Sequence, residues 1–512
     1  MMDWSEVVPE FTLRQVQRDV LDQVGELFEA GKKTVLVEAP PGVGKSIILL
    51  ALARSYGPGY IVTPQLVLQD QLGTLPGVAV VKGRSAYFCG LTNESAVDAP
   101  CTIGPRPNGP ECTDKECAYY GAIARASGVR VVAHSYASLM AQARGGHFGQ
   151  RPLLALDECH TAAQWVRSAN EIKVTKRQMA MLSDNLPKKV DDVLKWLAVY
   201  AAVIEPTNIF DIDLRSVISR LQQSPEVFGV PALTAGHCSI DDLMAEPHRP
   251  QCEFITEYDR YTETVKIRPL KSGPFGRSLL GLGTRVVAAS ATIINVPMLA
   301  AELGLKPSDV ASVTSNYSFN SSNRRIVRQY VGSVSSKTED SVLPRLCEAI
   351  VGLAEQHSGQ RGMIHVPSYQ LTSKLTDVLR NRLPGRIIKL SAGSKRNETI
   401  QSFISGEAGG DAILVGPGLV EGIDGVDDVL RWQVIVKIPW PSLADPLVTH
   451  LREAGRDALA DRWIKWKAIQ ATVQAVGRVC RHETDFGVTY VLDSGFDKLI
   501  DGLPQYVLDA IT

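Results

Sequence analysis

One short run constrains this chain more than any other. Residues 33–39, KTVLVEA, read as a buried strand. PPGVGKS then breaks the strand, and IILLALARSY reads as an apolar helix. Ala39, Pro40, Pro41, Gly42, Val43, Gly44, Lys45 and Ser46 fit the phosphate-loop pattern, with Ala39 where a first glycine often stands. The glycines let backbone N–H groups turn inward on phosphate oxygens. Lys45 is placed to reach the β- and γ-phosphates, and Ser46 to offer a hydroxyl to Mg²⁺. A strand before such a loop and a helix after it is the context that phosphate binding needs.

The rest of the chain keeps the same rhythm. GYIVTPQ, VRVVAHS and PLLALDE read as further core strands alternating with helices, which argues for a parallel α/β sheet. After RVVAASATI the pattern returns in a second copy, with GMIHVPS, RIIKLSA, AILVGPG, WQVIVKIPW and GVTYVLD as its strands. Two segments interrupt it. Residues 85–120 are rich in Pro, Gly, Asn and Cys, cannot build a core from their own side chains, and need a staple. Residues 163–265 contain helical stretches such as VDDVLKWLAVYAAVI. A length of 512 residues suits roughly two to four domains.

Composition narrows the partners. The formal net charge is −1, so a nucleic acid would have to be met by local basic grooves. No apolar run is long enough for a membrane span, and the first residues, MMDWSEVVPEFTLRQ, lack the apolar core of a signal peptide. A cytoplasmic protein of bacterial or phage origin is expected. In a reducing cytosol nine cysteines argue against a disulfide framework. Four of them, Cys89, Cys101, Cys112 and Cys117, fall within 29 residues and point to a metal or an iron–sulfur site. Four thiolates suit either a [4Fe–4S] cluster or structural zinc. Their spacing lacks the paired C-x₂-C knuckles common in zinc sites. His237, Cys238, His248 and Cys252 match no defensible metal spacing and read as an ordinary loop.

LLALDECH, residues 153–160, is an apolar strand ending in Asp-Glu. Asp157 at its tip can hold Mg²⁺, and Glu158 can orient and deprotonate an attacking water. His160 is placed to couple that site to the rest of the chain. Near the other end, QAVGRVCR puts Arg478 and Arg481 three apart, which reads as one face of a helix. From there they can stabilise charge on a γ-phosphate held by the first domain. Gln474 lies four residues before Arg478 and is expected to order the site.

The pattern D-E-x-H resembles that of superfamily 2 helicases, and other motifs follow in order. RQVQ resembles the glutamine motif, with Gln17 the expected adenine contact and Arg14 its neighbour. VTPQLVLQDQL resembles the strand-contacting motif, SAT (Ser290–Thr292) resembles motif III, VEGIDG resembles motif V, and QAVGRVCR resembles motif VI. Within motif V, Gly422 and Asp424 are the nucleotide-side candidates. KGRSAYFC, the three cysteines after it, and EGID followed by KIPWPSLADP resemble the XPD/DinG branch over nearly the whole chain.

That resemblance implies two RecA-like α/β domains, the first carrying an iron–sulfur insertion and a helical arch. The implied division is residues 1–84, 121–162 and 266–315 for the first domain, 85–120 for the cluster insertion, 163–265 for the arch, and 316–512 for the second domain. It implies ATP, Mg²⁺ and a [4Fe–4S] cluster as cofactors, with the four cysteines as cluster ligands and zinc as the alternative. It implies a monomeric DNA helicase that moves 5′ to 3′ on single-stranded DNA and unwinds forked DNA. The arch would close over the strand or hold a protein partner. Lys82, Arg84, Tyr87, Phe88, Ser368 and Tyr369 are expected near the strand, and His365 stands where an aromatic is usual. Only 38 residues precede the loop, so no N-terminal nuclease domain is expected. Two other readings stay open: a DNA-stimulated translocase, and a nucleotide-gated DNA-binding adaptor without processive unwinding.

Overall fold

The computed structural model describes residues 3–102, 112–113, 115–175, 254–259, 264–315, 319–335, 337–391, 395–419 and 427–512. The four-residue motif His237, Cys238, His248 and Cys252, and the motif V candidates Gly422 and Asp424, lie outside them.

Two parallel sheets organise the chain. The first contains β1 (Thr34–Glu38), β2 (Gly59–Val62), β3 (Val78–Val81), β4 (Val131–His134) and β5 (Arg151–Asp157). A separate three-stranded antiparallel sheet follows, made of β6 (Ile172–Thr175), β7 (Phe254–Asp259) and β8 (Thr264–Pro269). The chain then returns to the first sheet with β9 (Gly283–Ser290) and β10 (Val310–Thr314). The second sheet holds β11 (Arg324–Gly332), β12 (Gly362–His365), β13 (Ile387–Lys389), β14 (Ile413–Gly416), β15 (Trp432–Ile435) and β16 (Gly487–Asp493). Their orders are β10-β1-β9-β5-β2-β4-β3 and β11-β16-β15-β12-β14-β13.

These strands are continuous apolar runs because helices cover both faces of each sheet. β1, β2, β4 and β16 are buried almost throughout. The helix Lys45–Tyr56 buries Ile48 through Ala53 without a break, since it lies between the sheet and the amphipathic helix Gln15–Glu29. Parallel order has one consequence that matters for function. It brings the carboxyl ends of β1, β9 and β5 side by side, with Glu38 opposite Ser290 and Asp157 opposite Ala289. Crevices outside the carboxyl ends of such strands are where open α/β sheets bind ligands.

The segment 163–265, expected to be a helical insertion, is rooted in strands at both ends: β6 pairs antiparallel with β8, and β8 with β7. Its helical stretches lie outside the described residues. In the cysteine segment the described residues bury Ala96, Ala99 and, at its far end, Tyr119, while Phe88, Leu91 and Val97 are exposed. A segment with so little buried apolar surface does not hold itself together by packing. Leu447, Val448, Leu451, Trp463, Ile464 and Trp466 come from the second half of the chain, yet they are buried in one continuous core with first-sheet residues such as Leu156 and Ala288. The helices Pro446–Glu453 and Asp457–Val476 therefore bind the two sheets together.

Candidate nucleotide site and strand-facing surfaces

The phosphate loop is shaped by glycines that nothing else could replace. Gly42 and Gly44 have φ of 81° and 85°, the left-handed region that glycine enters without strain. A Cβ on Gly42 would run into the Phe319 ring, and one on Gly44 into the Gln17 amide. Lys45 Nζ donates to Ala39 O at 3.3 Å, so the ammonium lies curled over the loop.

The glutamine-motif residues brace this loop. Arg14 donates to Gly42 O (2.6 Å), and Gln17 Nε2 donates to Val43 O (2.9 Å). Gln17 Oε1 accepts the Arg14 N–H (2.9 Å), and the residue is buried. Both ends of its amide are thus engaged with protein. A cavity of about 580 Å³ opens beside it, lined by Arg14, Gln15, Asp19, Gln23, Thr314 and Glu483 among others. Of these only Arg14 was picked out from the motif.

Asp157 ends β5 and is buried. Its carboxylate accepts from Thr63 Oγ1 (3.1 Å), and its carbonyl accepts from Tyr136 OH (2.7 Å). Glu158 follows with φ of 46°, an uncommon backbone for a non-glycine residue, which swings its side chain off the strand line. Burial and the Glu158 charge push the Asp157 carboxyl well above the usual range. Burial raises Glu158 too, but Lys45, His160, Arg478 and Arg481 outweigh it and hold Glu158 below its ordinary value. Two carboxylates this close to one lysine form a site whose repulsion a divalent cation would relieve.

His160 is the crossing point of three motifs. Its Nδ1 lies 2.8 Å from Ser290 Oγ and 3.4 Å from Glu158 Oε2, and its Nε2 meets the Gln474 amide nitrogen. Gln474 donates, so Nε2 accepts and Nδ1 carries the proton toward Ser290. Burial lowers this histidine to about 4, in keeping with a neutral ring. Ser290 Oγ also accepts the Thr292 N–H at 3.1 Å.

The second domain reaches the loop directly. Gly477 packs against Pro41, and the Arg481 carbonyl lies against Gly42. The two arginines do not share a helical face, contrary to their spacing. The helix stops at Val476, Arg478 lies in the turn after it, and Arg481 lies outside any helix or strand. Three features cause this. Gly477 caps the helix, Gln433 Nε2 takes the terminal carbonyls of Ala475 (2.9 Å) and Val476 (3.4 Å), and Cys480 adopts a φ of 66°. Buried Asp485 then fixes the segment after the turn: it accepts the Arg481 N–H (2.7 Å) and pairs with Arg431 (2.9 Å). Asp485, Gln433, Thr63 and Glu38 had no sequence signal of their own, because each acts through partners distant in the chain.

His365 is not on the strand-facing surface. It is buried, bonds to Gln433 Oε1 (2.9 Å), and so orients the amide that caps the motif VI helix. Ser368 caps the helix Tyr369–Arg382 by accepting the Leu371 N–H, while Tyr369 is exposed. Lys82 pairs with Asp70, and the Lys82 N–H donates to Tyr87 OH. Arg84 lies over Tyr119 (4.5 Å) and donates to Tyr120 OH (2.9 Å), so it too is bound into the insertion. Phe88 is 70% exposed. Leu66 and Val67, at the start of the helix after β2, are 58% and 69% exposed. Both fall in VTPQLVLQDQL, the stretch that resembles the strand-contacting motif.

The thiols are already in the company of donors. Cys101 accepts from Arg84 (3.6 Å), and Cys117 caps the helix Ala118–Ser127 by accepting the Tyr120 N–H (3.5 Å). Backbone hydrogen bonds from Thr92 and Leu91 lower Cys89. Among the described residues no three of the four thiols come within 4.8 Å of one another.

Two parallel sheets face each other across a phosphate loop, with an acidic strand end on one side and arginines on the other, an arrangement that resembles the two-domain architecture of superfamily 2 helicases. Residues 350–507 match the helicase C-terminal domain family. A Fanconi anemia group J protein homolog from Gallus gallus is 28% identical over 180 residues, 30% of this chain and 14% of that protein. A regulator of telomere elongation helicase 1 homolog from Caenorhabditis briggsae is 35% identical over 88 residues, 15% of this chain and 9% of that protein. The matched parts thus span less than a sixth of these relatives. In fold the chain is similar to a solved XPD helicase over 98% of its length and 99% of the other chain, with a TM-score of 0.66 and 16% identity. Xpd4 of S. tokodaii gives 0.58 and 15%, with the same coverage. Residues 350–507 thus carry the helicase C-terminal domain, and the fold of the chain is similar to that of XPD helicases.

Proposed function

We propose that the protein is an ATP-driven motor that moves 5′ to 3′ on single-stranded DNA and unwinds duplex ahead of it. The observation that carries this reading is the meeting of three elements at one cleft. They are the Lys45 loop after β1, Asp157-Glu158 at the end of β5, and Arg478 and Arg481 from the second domain. The polarity rests on the family resemblance.

Each group has a role its surroundings favour. The loop amides and Lys45 hold the β- and γ-phosphates, and the cavity beside Arg14 receives the base. Asp157 and Ser46 would hold Mg²⁺, which supplies charge neutralisation on the phosphates. Glu158, kept ionised by Lys45, Arg478 and Arg481, accepts a proton from the attacking water. Arg478 and Arg481 face the developing charge from across the cleft, so hydrolysis requires the closed arrangement. Gln474 and His160 report that closure to Ser290.

Cys89, Cys101, Cys112 and Cys117 would hold a [4Fe–4S] cluster, whose part is to give the insertion the rigidity its packing lacks. N–H and guanidinium donors to sulfur suit thiolate ligands. Four thiolates would also suit structural zinc, which is the alternative occupant. Exposed Phe88, Leu66, Val67 and Tyr369 are the stacking and apolar surfaces for the strand.

The test is ATP-dependent unwinding of one duplex with a 5′ tail and one with a 3′ tail. Opening only the 5′-tailed duplex, abolished in Lys45→Ala, is the expected result. Opening of the 3′-tailed duplex alone would overturn the polarity. Strand-stimulated hydrolysis without opening either would leave a translocase.

A further inference from the structure

The turn after Ser290-Ala291-Thr292 is gripped from both sides of the cleft. Gln470 Nε2 donates to Thr292 O (2.7 Å), and Trp466 Nε1 donates to Ile293 O (2.9 Å). From the opposite side, Glu38 Oε1 accepts the Ile294 N–H (2.8 Å). The Ile293 carbonyl and the Ile294 N–H are the two ends of one peptide group. One end is held by the helix that runs into motif VI, and the other by the residue immediately before the phosphate loop.

This peptide is not in a relaxed conformation. Ile294 has a φ of 61°, and a β-branched residue in the left-handed region is a rare and costly state that its surroundings must enforce. The enforcing helix is itself pinned nearby: Trp463 Nε1 (3.0 Å) and Lys467 Nζ (2.9 Å) both donate to the Glu302 carboxylate of the first domain. Glu38 is tied to the same strand ends, since its neighbour Ala39 donates its N–H to Ser290 O at 3.0 Å.

We propose that the Ile293–Ile294 peptide is a mechanical joint between the domains, with Glu38 and Trp466 as positioning residues on its two ends. The inference rests on the motor reading above and adds residues that touch neither nucleotide nor strand in that reading. Any shift of the motif VI helix relative to the first sheet must break or drag the Trp466–Ile293 bond. That rotates the peptide, changes the hold of Glu38, and so disturbs the backbone at Ala39, where the phosphate loop begins. Strand binding that moves the second domain is thereby felt at the ATP site.

The experiment compares ATP hydrolysis with and without a single-stranded DNA oligonucleotide. The proteins are wild type, Glu38→Leu, Glu38→Gln, Trp466→Phe, and Glu38→Leu combined with Trp466→Phe. Removing either hydrogen bond is expected to lower the strand-stimulated kcat roughly three- to tenfold, with the KM for ATP moving less than about twofold. Glu38→Gln keeps an acceptor oxygen and should retain stimulation. The double variant should lose no more than the worse single, because both bonds act on one peptide. Wild-type stimulation in both single variants, or a double-variant loss equal to the product of the singles, overturns the joint. If Glu38→Leu does not fold, as judged by thermal melting, Glu38→Ala replaces it. Trp466→Phe should then add nothing in that background, and a further loss would overturn the proposal. A wild-type protein that hydrolyses ATP no faster with the oligonucleotide overturns the motor reading itself.

Discussion

Asp485 has no exposed side-chain surface, yet it carries three bonds that shape motif VI: to Arg431, to the Arg481 N–H, and to the Phe486 N–H. Removing it leaves the mostly buried Arg431 guanidinium with only the exposed Asp428 carboxylate and the Phe486 carbonyl. Losing the buried partner of an ion pair costs up to about 3–5 kcal/mol. Asp485→Ala is therefore expected to lower the chemical-denaturation midpoint strongly and to slow hydrolysis by freeing Arg481. A variant with unchanged stability and rate would show that the motif VI turn holds without it. At this scale the reactive groups were legible, since Lys45, Asp157, Glu158 and the arginines sit in short contiguous patterns. Their supports were not. Arg431 and Asp485 are 54 positions apart, and Glu38 and Ile294 are 256 apart. No local pattern records a bond over such distances.

Elements were read well where hydrophobic periodicity decides them, and less well where tertiary bonds end them. β1, β5, β9 and β16 are long apolar runs and stand where the sequence puts them. The motif VI helix was extended too far, because its stop depends on Gln433 and His365 from other strands. The cysteine segment was legible for the opposite reason: it lacks apolar residues to bury. If a cluster supplies its rigidity, Cys101→Ser should lose the visible absorbance and the bound iron of protein purified without oxygen. The region 85–117 should then be cut early by protease while the two sheets stay resistant. A Cys101→Ser protein with full iron content and an uncut insertion would exclude Cys101 as a ligand.

Across the whole molecule, three buried histidines link stability to pH. Burial lowers His134 to about 3 and His160 and His365 to about 4, against an ordinary 6.5. The folded state keeps them neutral while the unfolded chain binds protons below about pH 6.5. Their contribution is thus fully present above that pH and is lost as pH falls toward 4. For three such groups the slope is up to about 4 kcal/mol per pH unit between pH 6 and 4. Denaturant melts across pH 7.5 to 5 should show the loss, and His134→Phe should reduce the slope. An unchanged slope in that variant would mean that His134 already takes up its proton in the folded protein. Among the described residues no helix is long and apolar enough to cross a membrane, in line with the hydropathy of the chain.

What the sequence determined by itself was the alternation of strand and helix, the repeated sheet, and the order of the motifs. These follow from side-chain periodicity and from glycine and proline placement, which are properties of neighbours in the chain. Only the tertiary structure decided that β1, β9 and β5 lie adjacent, so that Glu38, Ser290 and Asp157 share one edge. It alone seated Trp463, Ile464 and Trp466 in the core of the other domain, and it alone stopped the helix before the arginines. Those outcomes depend on which surfaces bury each other and which distant donors meet which acceptors, and a linear pattern carries neither.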